Sequence, residues 1–237
     1  LRLAVLQAEG ESEAAYAGVI GALAAALDAR DPYTAGHSQR VASLPVLIAE
    51  EMGMPQGDPE PLRLGAQLHD IGKIGINDAE LRKPTRLTAD EFEHIRMHPV
   101  LGARILQPLE FLRPHIPVVE LHHERPDGRG YPHGLSGDAI PLAARIAHVA
   151  DAFDAMTSAR AYRPPLPASH ALDELRRHTG TDFDAPVVVA MLAVWETRLA
   201  PAGGAVPIDP LPCRNPAGYP ASVRSRAAAR DVAQVAS

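Results

Sequence analysis

The chain has 237 residues, 46% of them hydrophobic, enough to bury a sizeable core in one large domain or two small ones. Its net charge is −6 and it holds no basic tract, which argues against a binder of duplex nucleic acid, whose affinity comes from Lys and Arg on phosphates. A single cysteine, Cys213, excludes a disulfide framework and a cysteine zinc site, and fits a reducing, cytoplasmic setting. No apolar run approaches the ~20 residues that a membrane-spanning helix needs. The start at Leu1 rather than Met reads as a piece of a longer protein, which leaves room for an upstream sensor or receiver domain.

Aromatic residues are only 4% of the chain, so Leu, Val, Ile and Ala must fill the core, and their distribution favours helix. Residues 12–30 predict the first helix: Ser12 can cap it, and Ile20, Leu23, Ala24 and Leu27 recur at helical spacing. A second runs from about Thr34 to Met52 on a stripe of Val41, Leu44, Ile48 and Met52. Pro45 should kink it, because proline lacks the N–H and its ring meets the carbonyl four residues back. His37 lies one turn before Val41 and faces roughly the same way.

A third helix, about Pro59 to Ile71, delivers His69 and Asp70 at its C-terminal end. Residues 72–87 are rich in loop formers. Thr88 and Glu91 make a capping box that starts a helix through Glu93, Ile95 and Met97. His98-Pro99 interrupts or restarts it, and Val100, Leu101, Ile105 and Leu106 continue the pattern. A further helix, about Pro114 to His123, ends at a double histidine. The stretch 124–138 has four glycines and two prolines and reads as a loop. Pro141 opens a long amphipathic helix to about Ser158. Two more follow, at 168–179 and 185–199. The expected architecture is an all-α bundle of seven or more helices. It comprises an N-terminal linker helix at 1–30, a main domain at 20–200 and a disordered Pro/Ala-rich tail at 201–237.

His37, His69, Asp70, His98, His122, His123 and Asp151 each sit on or beside a helix with a buried face. A lone buried histidine is ordinarily just hydrogen-bonded, but burying an unpaired Asp or charged His costs several kcal/mol, roughly. Seven such residues at helix ends and kinks call for a common partner. Imidazole and carboxylate without thiolate suit iron, manganese, nickel or zinc. Asp70 has two oxygens and can bridge two ions, the device of two-metal phosphoester cleavage. Lys73 lies within reach of a substrate phosphate; the alternative is a solvated surface lysine.

His69-Asp70-Ile71-Gly72-Lys73, followed by His122-His123-Glu124, Asp127-Gly128 and Gly130-Tyr131-Pro132, resembles the HD-GYP family of HD phosphohydrolases. The likeness extends through Asp151, the run Phe153 to Ser158, and Tyr162-Arg163-Pro164, and covers roughly residues 20–195. It implies an HD-domain helical bundle that hydrolyses cyclic di-GMP to pGpG and GMP by a hydroxide activated between two divalent ions, iron or manganese first. It also implies that His37, His69, Asp70 and Asp151 hold one ion, and that Asp70, His98, His122 and His123 hold the other. Lys73 and Asp70 would act in catalysis, Arg160 and Arg163 would bind the substrate, and Gly130, Tyr131 and Pro132 would border its pocket.

Glu124, Asp127 and Asp154 are candidate partners for imidazole N–H groups, with a surface Glu and a turn-forming Asp as the plain alternatives for the first two. Tyr33 stands where some members use a Glu for a third ion, so two ions are expected. Ala159 and Ala161 replace residues more often acidic and proline in the family. A homodimer and a diguanylate cyclase partner are compatible with the resemblance. So are two rival readings: a cyclic di-GMP-binding or partner-docking module, and a hydrolase of another cyclic dinucleotide.

Overall fold

A computed structural model describes residues 18–27, 37–54, 59–83, 85–158 and 164–206. The first helix is seen as α1, residues 18–27, with Ile20, Ala24 and Leu27 buried. Then follow α2 (His37–Glu51), α3 (Pro59–Gln67), a 3-10 turn (Ile71–Gly75) and α4 (Asp78–Leu81). Next come α5 (Ala89–Ile95), α6 (His98–Leu106), a 3-10 turn (Glu110–His115) and α7 (Ile116–Leu121). After a 3-10 turn (Gly137–Ala139), α8 (Leu142–Thr157), α9 (Ala168–Arg177) and α10 (Ala185–Val194) close the fold, with one π-helical stretch at Trp195–Leu199. No strand forms among the described residues, and the protein is all-α, as the periodicity predicts.

The core is built by α2, α8, α9 and α10. Val41, Leu44 and Ile48 of α2 are buried, as are Ile146, Val149, Ala150 and Phe153 of α8, Leu175 of α9, and Val187 and Met191 of α10. Apart from Ala150, each such side chain taken from water contributes about 1.5–3 kcal/mol. Asp184 caps α10 through the Val187 N–H and accepts Arg145 Nη1 at 2.7 Å, which ties α8 to α10. The one tryptophan, Trp195, lies against Phe153 with ring centroids 5.7 Å apart. By its contacts, the stretch Ile20–Pro210 clusters as one compact unit. Among the described residues, no helix is long and apolar enough to cross a membrane.

Several boundaries differ from the sequence expectation. α2 runs from His37 to Glu51, shorter than expected at its start, with Pro45 inside it. α3 ends at Gln67 and α7 at Leu121, so His69, Asp70, His122 and His123 lie in the turns just past those helices. The 72–87 loop contains a 3-10 turn and α4, which Asn77 caps through the Ala79 N–H. The Thr88 capping box forms: Thr88 accepts the Glu91 N–H at 3.3 Å and Glu91 accepts the Thr88 N–H at 2.7 Å. Parts of the first helix, Tyr33, Ala159, Arg160, Ala161, Arg163 and residues 207–237 lie outside the described residues.

Candidate metal centre

Helix ends bring the seven candidate donors together. His37 and His98 are the first residues of α2 and α6, His69-Asp70 and His122-His123 follow α3 and α7, and Asp151 lies within α8. Close approach of α6 to the turn after α3 depends on Gly72. A Cβ there would lie 1.8 Å from the His98 carbonyl oxygen, so no side chain fits and His98 can reach Asp70.

The donors form two groups. His37, His69 and Asp70 present atoms within 4.8 Å of one another, and so do His98, His122 and His123. Asp151 Oδ1 is 3.4 Å from His37 Nε2 and 3.8 Å from His69 Nε2, which places it with the first group. Asp70 stands between them: Oδ2 is 3.4 Å from His69 Nε2 and Oδ1 is 3.3 Å from His98 Nε2.

Four of the five rings are aimed by their other nitrogen. His69 Nδ1 meets the Ala66 carbonyl at 2.6 Å, His98 Nδ1 that of Ile95 at 2.8 Å, and His122 Nδ1 that of Val119 at 2.8 Å. In every case the acceptor is three residues back, in the last turn of the preceding helix, where carbonyls have no partner within the helix. A carbonyl only accepts, so Nδ1 carries the proton and, in the neutral ring, Nε2 carries a lone pair. His37 begins α2 and instead donates Nδ1–H to Asp154 at 2.7 Å. Arg40 holds that carboxylate with Nε at 2.6 Å and Nη2 at 3.1 Å.

Electrostatics separates the groups. Burial, opposed by Asp70, lowers His98 to about 4. Burial and neighbouring imidazoles hold His122 and His123 well below the usual histidine range. Burial works against a charged His69 too, but the Asp70 and Asp151 carboxylates raise it to about 9. Burial would raise Asp70, yet Lys73 and His69 hold it well below the usual carboxylate range. Asp151 is lowered by His69 and His37 against its burial.

At His98, His122 and His123 the result is a buried cluster of lone pairs. His98 Nε2 and His122 Nε2 face each other at 3.3 Å with no proton between them when both rings are neutral. Such a donor set fits divalent cations, and its nitrogen and oxygen chemistry suits iron, manganese, nickel or zinc.

The remaining predicted residues fall around this cluster. Lys73 Nζ lies 2.6 Å from Asp70 Oδ2, at the edge of the site rather than in bulk solvent. Tyr131 stacks on His123, centroids 4.6 Å apart, with the Arg96 guanidinium 5.0 Å from the Tyr131 ring centroid. Gly130 lets its loop press on the double-histidine turn: a Cβ would meet the Arg125 nitrogen at 2.4 Å. Asp154 supports an imidazole, in keeping with its expected part.

Glu124 departs from both of its readings, and Asp127 takes the turn-forming one. Glu124 is 1% exposed and accepts the N–H groups of His133, Gly134 and Leu135, which folds the Gly130–Pro132 loop and leaves no oxygen pointing at an imidazole. Its neighbour Asp127 accepts from Arg125 and from the Arg129 N–H, a turn role. Arg125 also pairs with Asp182. Two supporting residues were missed. Arg40 lies three after His37, and His148 lies three before Asp151; helical spacing puts each on the face of a residue already singled out.

A helical bundle with two juxtaposed His/Asp donor groups at its helix ends is the class that the fold and the site define. Residues 21–187 match the HD domain, and the chain belongs to that family. A cyclic di-GMP phosphodiesterase of Thermotoga maritima is 44% identical over 170 residues, 69% of this chain and 45% of the relative. A 3'3'-cGAMP-specific phosphodiesterase of Vibrio cholerae is 38% identical over 173 residues, 73% of this chain and 38% of the relative. The chain thus spans less than half the length of these curated relatives. In fold, it is like a solved cyclic GMP-AMP specific phosphodiesterase of V. cholerae, with a TM-score of 0.62 at 20% identity over 79% of this chain and 50% of that one.

Proposed function

We propose that this domain is a metal-dependent phosphodiesterase that opens cyclic di-GMP. The observation that carries the reading is Asp70, whose two oxygens reach one donor group each, at 3.4 and 3.3 Å. His37, His69, Asp70 and Asp151 would hold one divalent ion; Asp70, His98, His122 and His123 would hold the second. Bound there, the ions would lower the pKa of water and neutralise charge developing on the phosphate.

The chain's own residues supply the rest. The rings of His37, His69, His98 and His122 are held by Nδ1 hydrogen bonds before any ligand arrives, and His123 is stacked on Tyr131, so little reorganisation is needed. Hydrolysis joins the water oxygen to phosphorus and breaks the bond to the 3′ oxygen, which takes up a proton. Lys73, part-exposed beside Asp70, can contact the phosphate or assist that leaving oxygen. The Tyr131 ring on His123 walls the site on the Gly130–Pro132 side. By resemblance, Arg160 and Arg163 bind the substrate.

The test is direct. Protein purified anaerobically, with Mn(II) or Fe(II), should convert cyclic di-GMP to pGpG and GMP; undiminished turnover in purified His69→Ala or Asp70→Ala would refute the site. A second reading, hydrolysis of 3'3'-cGAMP, is favoured by the 38% identical V. cholerae relative. Faster cleavage of cGAMP than of cyclic di-GMP in the same assay would replace the first reading with the second.

A further inference from the structure

The peptide bond between His122 and His123 joins two candidate donors of one group directly. Its carbonyl belongs to His122, at the C-terminal end of α7, where helix carbonyls lack an intrahelical donor. That oxygen is met at 2.7 Å by Nδ1 of His148, a part-buried side chain of α8. The carbonyl can only accept, so the imidazole donates. The same ring lies 6.3 Å, edge to face, from His123 and 5.3 Å from Phe183. One turn further along α8 stands Asp151, which reaches the other group. α8 therefore touches both groups: one through a carboxylate, the other through the plane of a peptide bond.

We infer that His148 is a positioning residue for the second ion, fixing the peptide that joins His122 to His123 and hence the angle between their two rings. It rests on the two-ion reading but not on any substrate. His122 Nδ1 is bound to Val119 and His123 is stacked on Tyr131, so each ring has its own support. The His148 contact acts instead on the link between them. Free rotation of that peptide would move both nitrogens relative to His98, and ion affinity at this group would fall, while the first group would keep its donors.

The test uses the full chain and manganese alone. Wild type, His148→Leu and His148→Asn are dialysed against graded free Mn(II), bound metal per chain is measured, and thermal unfolding of the metal-free proteins is followed. Leu fills the space without a donor; Asn keeps an N–H close to the position of Nδ1. Loss of a partner behind a ligand typically costs ~10–100-fold in metal affinity. The expected result is that His148→Leu binds one of two ions ~10–100-fold more weakly, and that His148→Asn restores it. Wild-type affinity for both ions in His148→Leu overturns the proposal. So does equal loss in both variants, which would mark the ring as packing only. A wild-type chain that binds no manganese removes the metal centre and this role with it. One that binds two ions yet cleaves no cyclic dinucleotide removes the proposed activity and leaves the role of His148 to be decided by the same titration.

Discussion

The two donor groups share Asp70, and both lean in part on backbone, since His69 meets the Ala66 carbonyl, but the rest of their support differs. Around His98 and His122 the support is backbone: each ring leans on a carbonyl three residues back, and burial keeps the rings neutral. Around His37 the support is charge, with Asp154 held by Arg40 on one side and Asp70 paired with Lys73 on the other. The first arrangement is set by where helices end, the second by which side chains the helices carry. A backbone carbonyl cannot be removed by substitution, whereas a carboxylate can. The imidazole-rich half should therefore yield mainly to changes in its own donors or in its peptide geometry, and the carboxylate-rich half also to changes one layer back.

Removing the shared residue should erase the contrast. Asp70→Ala is expected to lose both ions and bring hydrolysis to background, measured by metal analysis beside the product assay. Retention of one full-affinity ion would show that the halves are independent. Gly72→Ala attacks the contact that holds the halves side by side. With 1.8 Å to the His98 carbonyl oxygen, it should cost at least about 1–3 kcal/mol in urea unfolding, the usual range for overpacking. A neutral result would mean that α6 is free to move.

Asp154→Asn sharpens the comparison. It should weaken the first ion by ~10–100-fold and leave the second near wild type, read by manganese titration; equal loss at both would contradict the division. The smallest effect separates the centre from ordinary acid sensitivity. His115, buried behind α7 and bound to the Pro61 carbonyl, has its pKa lowered by burial. The unfolded chain then binds the proton more readily, so stability present above the ordinary value near 6.5 is lost as pH falls through that value. His115→Phe should flatten the slope by less than ~1.4 kcal/mol per pH unit. An unchanged slope in acid unfolding would assign the sensitivity elsewhere.

Much of this arrangement was legible in the sequence because it rests on local signals. The Thr88–Glu91 box, the stripe of Val41, Leu44 and Ile48, and the donor set at helix ends follow from spacing and residue type. What was not legible depends on contacts far apart in the chain. Glu124 looked like a surface residue or an imidazole partner. Only the folding-back of residues 133–135 gives its carboxylate three amides to bind. Asp127 read as an imidazole partner or a turn former, and Arg125 with the Arg129 N–H gives it the turn role. His148 reads as one histidine on an apolar helix until α7 ends beside it. Pro45 lies inside α2, where the sequence placed it, with the flanking Leu44 and Val46 buried in the bundle.

The chain has a single tryptophan, and its indole rests on Phe153, the residue between Ala152 and Asp154 on the helix that serves both halves of the centre. That pairing makes the protein its own optical gauge. Emission excited at the red edge of ultraviolet absorption comes from Trp195 alone, without a dye or a label. A stopped-flow trace of that emission on mixing with manganese would time any shift of α8, and a flat trace would mean the ions enter a scaffold that does not move.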